Sequence, residues 1–123
     1  MADKFAIGVD YGTNSVRALV VNTATGEEIG TAVYDYPSGD AGILLDPRAP
    51  NVARQTPADY IEGFVVSVKK AVEQAKGVAG FSPEAVVGIG VDTTGSTPIP
   101  VDAAGVALAG KSEFKDNPAA HAW

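Results

Sequence analysis

An acid, a glycine, hydroxyl side chains and an arginine follow one another in the stretch GVDYGTNSVRALVV, between two apolar runs. Asp10 ends the first run, where a carboxylate costs free energy unless it meets a cation or hydrogen-bond donors. Gly12 lets a ligand approach the backbone, while Thr13 and Ser15 supply hydroxyls and amides. Strand alternation places Ser15 and Arg17 on one face. These groups are the ones needed to hold a magnesium-bound phosphate.

The same stretch is also compatible with the plain loop of a β-hairpin. Gly12 and Asn14 tolerate a positive φ, and the carboxylate of Asp10 can accept hydrogen bonds from turn amides. The residues of this stretch taken alone therefore leave two interpretations open, a turn and a phosphate-binding loop.

A second polar cluster, GVDTTGSTPIPVD, spans residues 90–102. Asp92 and the hydroxyl side chains after it follow an apolar run that is predicted to be a parallel strand, and ligands of open α/β sheets gather at the carboxyl ends of strands. Thr94, Gly95 and Ser96 combine short hydroxyls with a residue that has no side chain. This composition leaves room for a sugar and can hydrogen-bond it. The alternative is a loop that caps its own backbone.

A third stretch, GVALAGKS at residues 105–112, satisfies the G-x-x-x-x-G-K-[ST] spacing of a P-loop at every position. A P-loop must follow a buried strand and open a helix whose amides hold the phosphates. Pro98 and Pro100 weaken any strand before it, and Pro118 ends any helix soon after it. We therefore interpret the match as a coincidence and expect Lys111 to be a solvated surface lysine.

The elements that must position these residues follow an α/β pattern. Apolar and β-branched runs predict strands at 5–9, 16–21 and 29–36, joined by short turns into a three-stranded antiparallel meander. Residues 37–55 contain three Pro and two Gly with little periodicity, so a surface loop or insertion is expected there.

The strongest helix signal follows this loop. Thr56 as N-cap, Pro57 in the first turn and Gly77 after the last periodic residue predict its ends. The run at 86–91 does not alternate and predicts a strand buried on both faces in parallel pairing, reached by a right-handed crossover, with a further strand around 99–101. The helix face expected to cover the sheet contains Tyr60, Ile61, Phe64, Val65, Val68, Val72 and Ala75.

These motifs and elements resemble the FGGY carbohydrate kinases, which belong to the superfamily of actin, hexokinase and the heat-shock chaperones. GVDYGTNSVRALVV is similar to the family's first phosphate motif, Asp-x-Gly-Thr-x-Ser-x-Arg. RQTPADYIE, GVDTTGSTPIPVD and DNPAAHAW resemble the members that act on ribulose. The resemblance runs over nearly all 123 residues. It implies an α/β, ribonuclease H-like (actin-like ATPase) domain, of which residues 1–123 would be the N-terminal part, with the second kinase domain absent.

The resemblance also implies roles for individual residues. Asp10 would orient magnesium. The groups around the β and γ phosphates of ATP would be Gly12, Thr13, Asn14 and Ser15, with Arg17 nearby. The sugar pocket would be lined by Thr94, Gly95 and Ser96. Family members are far longer, so the catalytic aspartate and the adenine pocket are expected outside this chain, and no catalytic residue is expected within it. Residues 37–55 are assigned no role, and His121 is expected to be structural or exposed.

Composition excludes several classes of function. The formal net charge is −6 and the nine Lys and Arg are scattered, which argues against binding nucleic acid. With no cysteine there is neither a disulfide framework nor a thiolate metal site. No run approaches the length of a membrane span, and the N-terminus does not resemble a signal peptide. We therefore expect a cytoplasmic protein that does not bind membranes.

Two functions from different classes follow from these observations. The first is an ATP- and magnesium-dependent sugar kinase that phosphorylates a ketopentose such as ribulose. The second is a non-catalytic actin-like module that binds nucleotide for assembly or regulation. The polar cluster at 90–102 favours the kinase, because an assembly protein needs no polyol pocket there. The sequence leaves the oligomeric state open, a homo-oligomer included.

Overall fold

The computed structural model describes residues 2–123 of the chain. The strands and the helix are, in chain order, β1 Phe5–Tyr11, β2 Ser15–Asn22, β3 Glu28–Asp35, β4 Leu44–Leu45, β5 Ala53–Arg54, α1 Pro57–Ala75 and β6 Val86–Asp92. Short 3₁₀ turns lie at Pro83–Ala85, Leu108–Gly110 and Pro118–Ala120.

Four strands form the main sheet in the order β3-β2-β1-β6. β1 pairs antiparallel with β2, and β2 with β3, whereas β1 and β6 are parallel. The predicted meander and the predicted parallel strand are therefore confirmed. Helix α1 follows β5, precedes β6 in the chain and packs mainly on β2 and β3. No helix within residues 2–123 is both long enough and apolar enough to cross a bilayer.

The face with which the helix covers the sheet only partly matches the predicted one, of which Ala75 is fully buried. Ile61 and Val65 are 69% and 43% exposed, so their assignment to the covering face was wrong. The larger apolar side chains Tyr60, Phe64, Val68 and Val72 are only partly buried, at the edges of the contact. The buried residues recur every fourth position and are mostly small: Asp59, Gly63, Ser67, Ala71 and Ala75. Small residues let the helix backbone lie close to the strands. This close approach leaves little space for larger side chains between the helix and the sheet.

Close approach makes Gly30 of β3 difficult to replace. A Cβ atom at this position would lie 2.2 Å from the carbonyl oxygen of Ala71 in the helix backbone. Because backbone must shift, we expect Gly30→Ala to lower the free energy of unfolding by about 3 kcal/mol. Gly88→Ala is the matched control, since a Cβ there meets nothing within 4 Å. Urea denaturation of both variants checks this expectation, and equal midpoints would contradict the close packing.

Strand β6 is exposed rather than buried on both faces. Val87, Ile89 and Val91 are 62%, 51% and 55% exposed, so the predicted burial was wrong for this chain. The reason is that the only strand paired with β6 within residues 2–123 is β1, while the helix packs mainly on β2 and β3, away from β6. The strand expected around 99–101 is reduced to an isolated bridge between Val101 and Ala107.

The segment 37–55 is mostly irregular, as expected, but it contains the two short strands β4 and β5. These strands pair antiparallel, with Leu44 opposite Arg54. At the end of the segment, Gln55 exchanges two backbone hydrogen bonds with Ala122. The segment is thereby fixed to the C-terminal residues.

Candidate functional site

The carboxyl ends of β1 and β6 lie side by side and carry two aspartates. In the backbone register, Asp10 of β1 is paired with Asp92 of β6 on one side and with Arg17 of β2 on the other. All three residues are exposed. Among residues 2–123, no ion pair joins Asp10 to Arg17 within 4.0 Å. The structure thus brings two carboxylates and a guanidinium together at the carboxyl ends of β1 and β6, which is where ligands bind in open α/β sheets.

Two neighbouring carboxylates suit one kind of metal site. Mg²⁺ is usually held by one or two carboxylates together with water and substrate phosphates, rather than by a cage of protein ligands. No group of three or more acidic or histidine side chains that could hold an ion by itself occurs within the described residues. Asp10 and Asp92 therefore fit a magnesium ion that arrives with a phosphate.

The loop between β1 and β2 is held by its carbonyl oxygens. Tyr36 donates from its hydroxyl to the carbonyl of Gly12 at 3.3 Å and from its backbone amide to the carbonyl of Asn14 at 3.0 Å. The side-chain amide of Gln55 donates to the carbonyl of Thr13. A tight turn is closed by the amide of Gly12, which donates to the carbonyl of Ser15 at 2.8 Å. Three successive carbonyls of this loop are thus fixed.

Fixed carbonyls determine where the amides of the loop point. In a trans peptide the N–H lies on the side opposite the carbonyl. The amides of Thr13 and Asn14 therefore point away from the groups that hold the loop, and within residues 2–123 neither donates to a protein acceptor. Backbone amides beside a glycine are the donors that phosphates use. This part of the loop fits a phosphate group.

The remaining residues predicted to surround the phosphates are placed in different ways. The side chain of Asn14 donates to the carbonyl of Ala41 at 2.7 Å, so it is engaged by the segment 37–55. Its backbone amide is the part that remains available. Ser15 is half-buried at the start of β2, whereas Arg17 is exposed two residues later.

A cavity of about 480 Å³ joins the two polar clusters that the sequence predicted. One wall contains Gly12, and the other is built from the loop after β6, including Thr94, Gly95 and Ser96. The volume lies within the range of small-molecule sites, about 300–1,000 Å³. Its complete lining is Tyr11, Gly12, Tyr60, Thr93, Thr94, Gly95, Ser96, Thr97 and Ile99.

The loop after β6 owes its shape to local hydrogen bonds. The hydroxyls of Thr94 and Thr97 lie 3.0 Å apart, and that of Thr97 also donates to the carbonyl of Thr94 at 3.3 Å. Ser96 has a φ of 56°, which is uncommon for a residue other than glycine. A Cβ at Gly95 would meet nothing within 4 Å. The loop caps itself in part and still leaves one side open to the cavity.

Sequence reasoning missed the aromatic residues that support the site. Tyr60 packs edge-on against Tyr11 and Tyr36, with ring centroids 5.8 Å apart in both pairs. The hydroxyl of Tyr11 donates to the carbonyl of Tyr60 at 2.9 Å. Burial raises the pKa of all three hydroxyls, which keeps them protonated and able to donate at neutral pH. Of these three tyrosines, only Tyr60 was indicated by the sequence, through its helical spacing on the predicted covering face.

The stretch at 105–112 lies outside this site. It forms a turn and the 3₁₀ turn Leu108–Gly110, and within residues 2–123 no strand leads directly into it and no α-helix follows it. Lys111 is half-buried rather than the solvated surface lysine that was expected, and its ammonium lies 2.6 Å from the carboxylate of Asp102. The hydrogen bond from Lys111 lowers the pKa of Asp102 to about 2.

Two residues near the C-terminus have structural contacts. His121 is 4% exposed, and one ring nitrogen lies 2.8 Å from the carbonyl of Lys115. This placement agrees with the expected structural role. The ring of Trp123 lies under the guanidinium of Arg54 at 3.9 Å, a cation–π contact that the sequence did not predict.

The arrangement of the fold matches known sugar kinases. A xyloylose kinase from Brucella ovis superimposes with a TM-score of 0.64 at 24% identity, over 82% of this chain and 18% of that chain. A gluconate kinase from Lactobacillus acidophilus gives a TM-score of 0.62 at 13% identity, over 85% of this chain and 18% of that chain. At these identities the comparison concerns the fold, and it confirms the predicted actin-like ATPase architecture.

Sequence identity to curated relatives is higher than to these two structures. The chain is 41% identical over 112 residues to the ribulokinase of Vibrio parahaemolyticus, a match that covers 91% of this chain and 19% of the relative. It is 39% identical over 127 residues to the ribulokinase of Geobacillus thermodenitrificans, covering 100% of this chain and 21% of the relative. The chain thus spans about a fifth of the length of these curated relatives. The model of the FGGY family of carbohydrate kinases, N-terminal domain, matches residues 5–121. The chain therefore belongs to the FGGY family of carbohydrate kinases.

Proposed function

We propose that residues 1–123 are the N-terminal part of a longer kinase that transfers the γ-phosphoryl group of ATP to a hydroxyl of a ketopentose such as ribulose. The single observation that carries this proposal is the shared cavity. Gly12, beside the free loop amides, and Thr94 to Ser96 line the same space of about 480 Å³. A phosphate donor and a polyol held there would be neighbours, and positioning is the main requirement of phosphoryl transfer.

The nucleotide would be held at the carboxyl ends of β1 and β6. The amides of Thr13 and Asn14 would bind phosphate oxygens, and Arg17 would add positive charge on the adjacent strand. Asp10 and Asp92 would hold magnesium, which neutralises phosphate charge when it is bound. Support for these roles comes from the register that pairs Asp10 with both Arg17 and Asp92.

The sugar would occupy the other side of the cavity. Thr94 and Ser96 offer hydroxyls, and Gly95 leaves space where any larger residue would project a side chain. The ribulokinases among the relatives support a ketopentose as substrate. The cytoplasm is the proposed compartment, because it supplies ATP and suits a chain without cysteine.

A kinase and a nucleotide-binding assembly module give different results in one assay. Coupled ADP release by the full-length kinase is measured over a panel of pentuloses and polyols. Turnover that depends on a ketopentose supports the kinase. ATP binding without sugar-dependent turnover by any member of the panel would contradict it and favour the assembly module.

Filling the cavity from Gly95 tests where the sugar binds. In the full-length kinase, we expect Gly95→Val to raise the KM for the ketopentose about 10- to 100-fold, because Gly95 lines the cavity and a Cβ there meets no protein atom within 4 Å, so the new side chain takes up cavity space. The KM for ATP should change by less than about threefold. Gly110→Val is the matched control, since its Cβ also meets nothing within 4 Å and it does not line the cavity. An unchanged KM for the sugar would place the substrate elsewhere.

A further inference from the structure

Gln55 connects parts of the chain that are distant in sequence. It is 9% exposed and lies between β5 and α1. Its backbone amide and carbonyl both bond to Ala122, at 2.9 and 2.8 Å. Its side chain donates to the carbonyl of Thr13, and its side-chain oxygen accepts a 2.6 Å hydrogen bond from the hydroxyl of Tyr60. All polar groups of a buried residue are thus satisfied, in four separate contacts.

The chemistry of the partners fixes the orientation of the Gln55 amide. The carbonyl of Thr13 can only accept a hydrogen bond, so the group that faces it must be the NH₂ of Gln55. The oxygen of the amide then faces Tyr60, whose hydroxyl must donate. Burial raises the pKa of Tyr60, which keeps that proton in place. The side chain therefore has one orientation, and only an amide of this length supplies both a donor and an acceptor here.

The hydrogen bonds that run from the Thr13 carbonyl through the Gln55 amide to the Tyr60 hydroxyl form a relay. One end of this relay is the proposed phosphate-binding loop. The bond to the Thr13 carbonyl turns the peptide between Thr13 and Asn14 so that its N–H points to the opposite side. The other end is Tyr60, whose ring lines the cavity and packs against Tyr11. The relay therefore joins the proposed nucleotide loop to the wall of the proposed sugar pocket through two side chains.

We propose that Gln55 is a positioning residue that sets the direction of the Asn14 amide toward the ATP phosphates and holds it in register with the sugar cavity. This inference rests on the proposed function and deepens it. Gln55 acts through Thr13 and Tyr60, and it does not line the cavity of about 480 Å³. Misplacement of a binding group by about 1 Å can lower the rate of catalysis about a hundredfold, so the effect is measurable.

The test compares two glutamines of the full-length kinase that each bond to a distant backbone group. Gln55→Met keeps the length of the side chain and removes both hydrogen bonds. Gln74→Met is the matched control, because the side-chain oxygen of Gln74, near the C-terminal end of α1, accepts a 2.5 Å hydrogen bond from the backbone amide of Thr31 in β3. We expect Gln55→Met to lower kcat/KM for ATP about 10- to 100-fold, mainly through KM. The Gln74 variant should stay within about twofold of the wild type, even where its melting temperature falls.

A second variant keeps the test decisive if Gln55→Met does not fold. Tyr60→Phe preserves the aromatic packing and removes only the hydroxyl that orients the amide. It should lower kcat/KM for ATP about 3- to 10-fold. Wild-type kcat/KM for ATP in either folded variant would overturn the proposal, because a purely structural role would affect only the melting temperature.

Failure of this inference can be distinguished from failure of the proposed function. Wild-type protein that turns over no sugar would contradict the kinase assignment alone. Titration with magnesium ADP then still measures how tightly the loop between β1 and β2 binds the nucleotide. A dissociation constant about tenfold weaker for Gln55→Met than for the Gln74 variant supports the positioning role, and equal constants overturn it.

Discussion

Replacing Asp10 by asparagine in the full-length kinase is expected to lower kcat by about a hundredfold or more, because charge stabilisation carries most of phosphoryl-transfer catalysis. Asparagine keeps the size of the side chain and can still accept turn hydrogen bonds. It lacks the negative charge that would hold hydrated magnesium beside Asp92. Because Asp10 is exposed, the fold should survive the change. The measurement is kcat against magnesium concentration.

Asp3→Asn provides a matched control for this experiment. Asp3 is an exposed aspartate just before β1, at the opposite end of the strand from Asp10. A separation of seven residues along an extended chain corresponds to about 23 Å. The Asp3 variant loses the same charge and should keep wild-type kcat and magnesium response. Near-normal kcat in the Asp10 variant, with an unchanged melting temperature, would indicate that the loop is an ordinary hairpin turn.

The 123-residue chain by itself is expected to release no ADP in response to sugar. The cavity between the two polar clusters is lined by no Asp, Glu or His among the described residues, so no side chain there could take the proton from a sugar hydroxyl. Groups that position both substrates from the other side are also expected outside the chain. A full-length kinase would turn over at about 1–100 s⁻¹ and serves as the positive control.

The assay is coupled ADP release by purified chain at the same concentration as the full-length kinase, with and without ketopentose. Circular dichroism and thermal melting show whether the chain is folded during the measurement. Sugar-dependent ADP release above the background of the coupling enzymes would contradict the expectation. It would also show that the cavity already contains a complete catalytic centre.

Most of the secondary structure could be predicted because local chemistry decides it. The β-branched runs on either side of the Asp10 loop form strands, and Thr56-Pro57 opens the helix at Pro57 as predicted. The parallel pairing of β1 with β6 was also correct. Errors arose where burial depends on neighbours. Ile61 falls at helical spacing with the apolar residues Phe64 and Val68 and is nevertheless exposed. The reason is that the small residues Gly63 and Ala71 bring the helix backbone itself against the sheet.

The sequence by itself determined which residue types are available to a ligand: the acid, glycine and hydroxyls after β1, and the short hydroxyls with Gly95 after β6. Their position at strand ends follows from local patterns, which is why reasoning from spacing could find them. Only the tertiary structure decided that the two groups share one cavity, that Asp10 is paired with Asp92, and that Gln55 holds the Thr13 carbonyl. Gln55 and Thr13 are separated by 42 residues. Contacts over such distances depend on how the helix and sheet pack, and no local propensity encodes them.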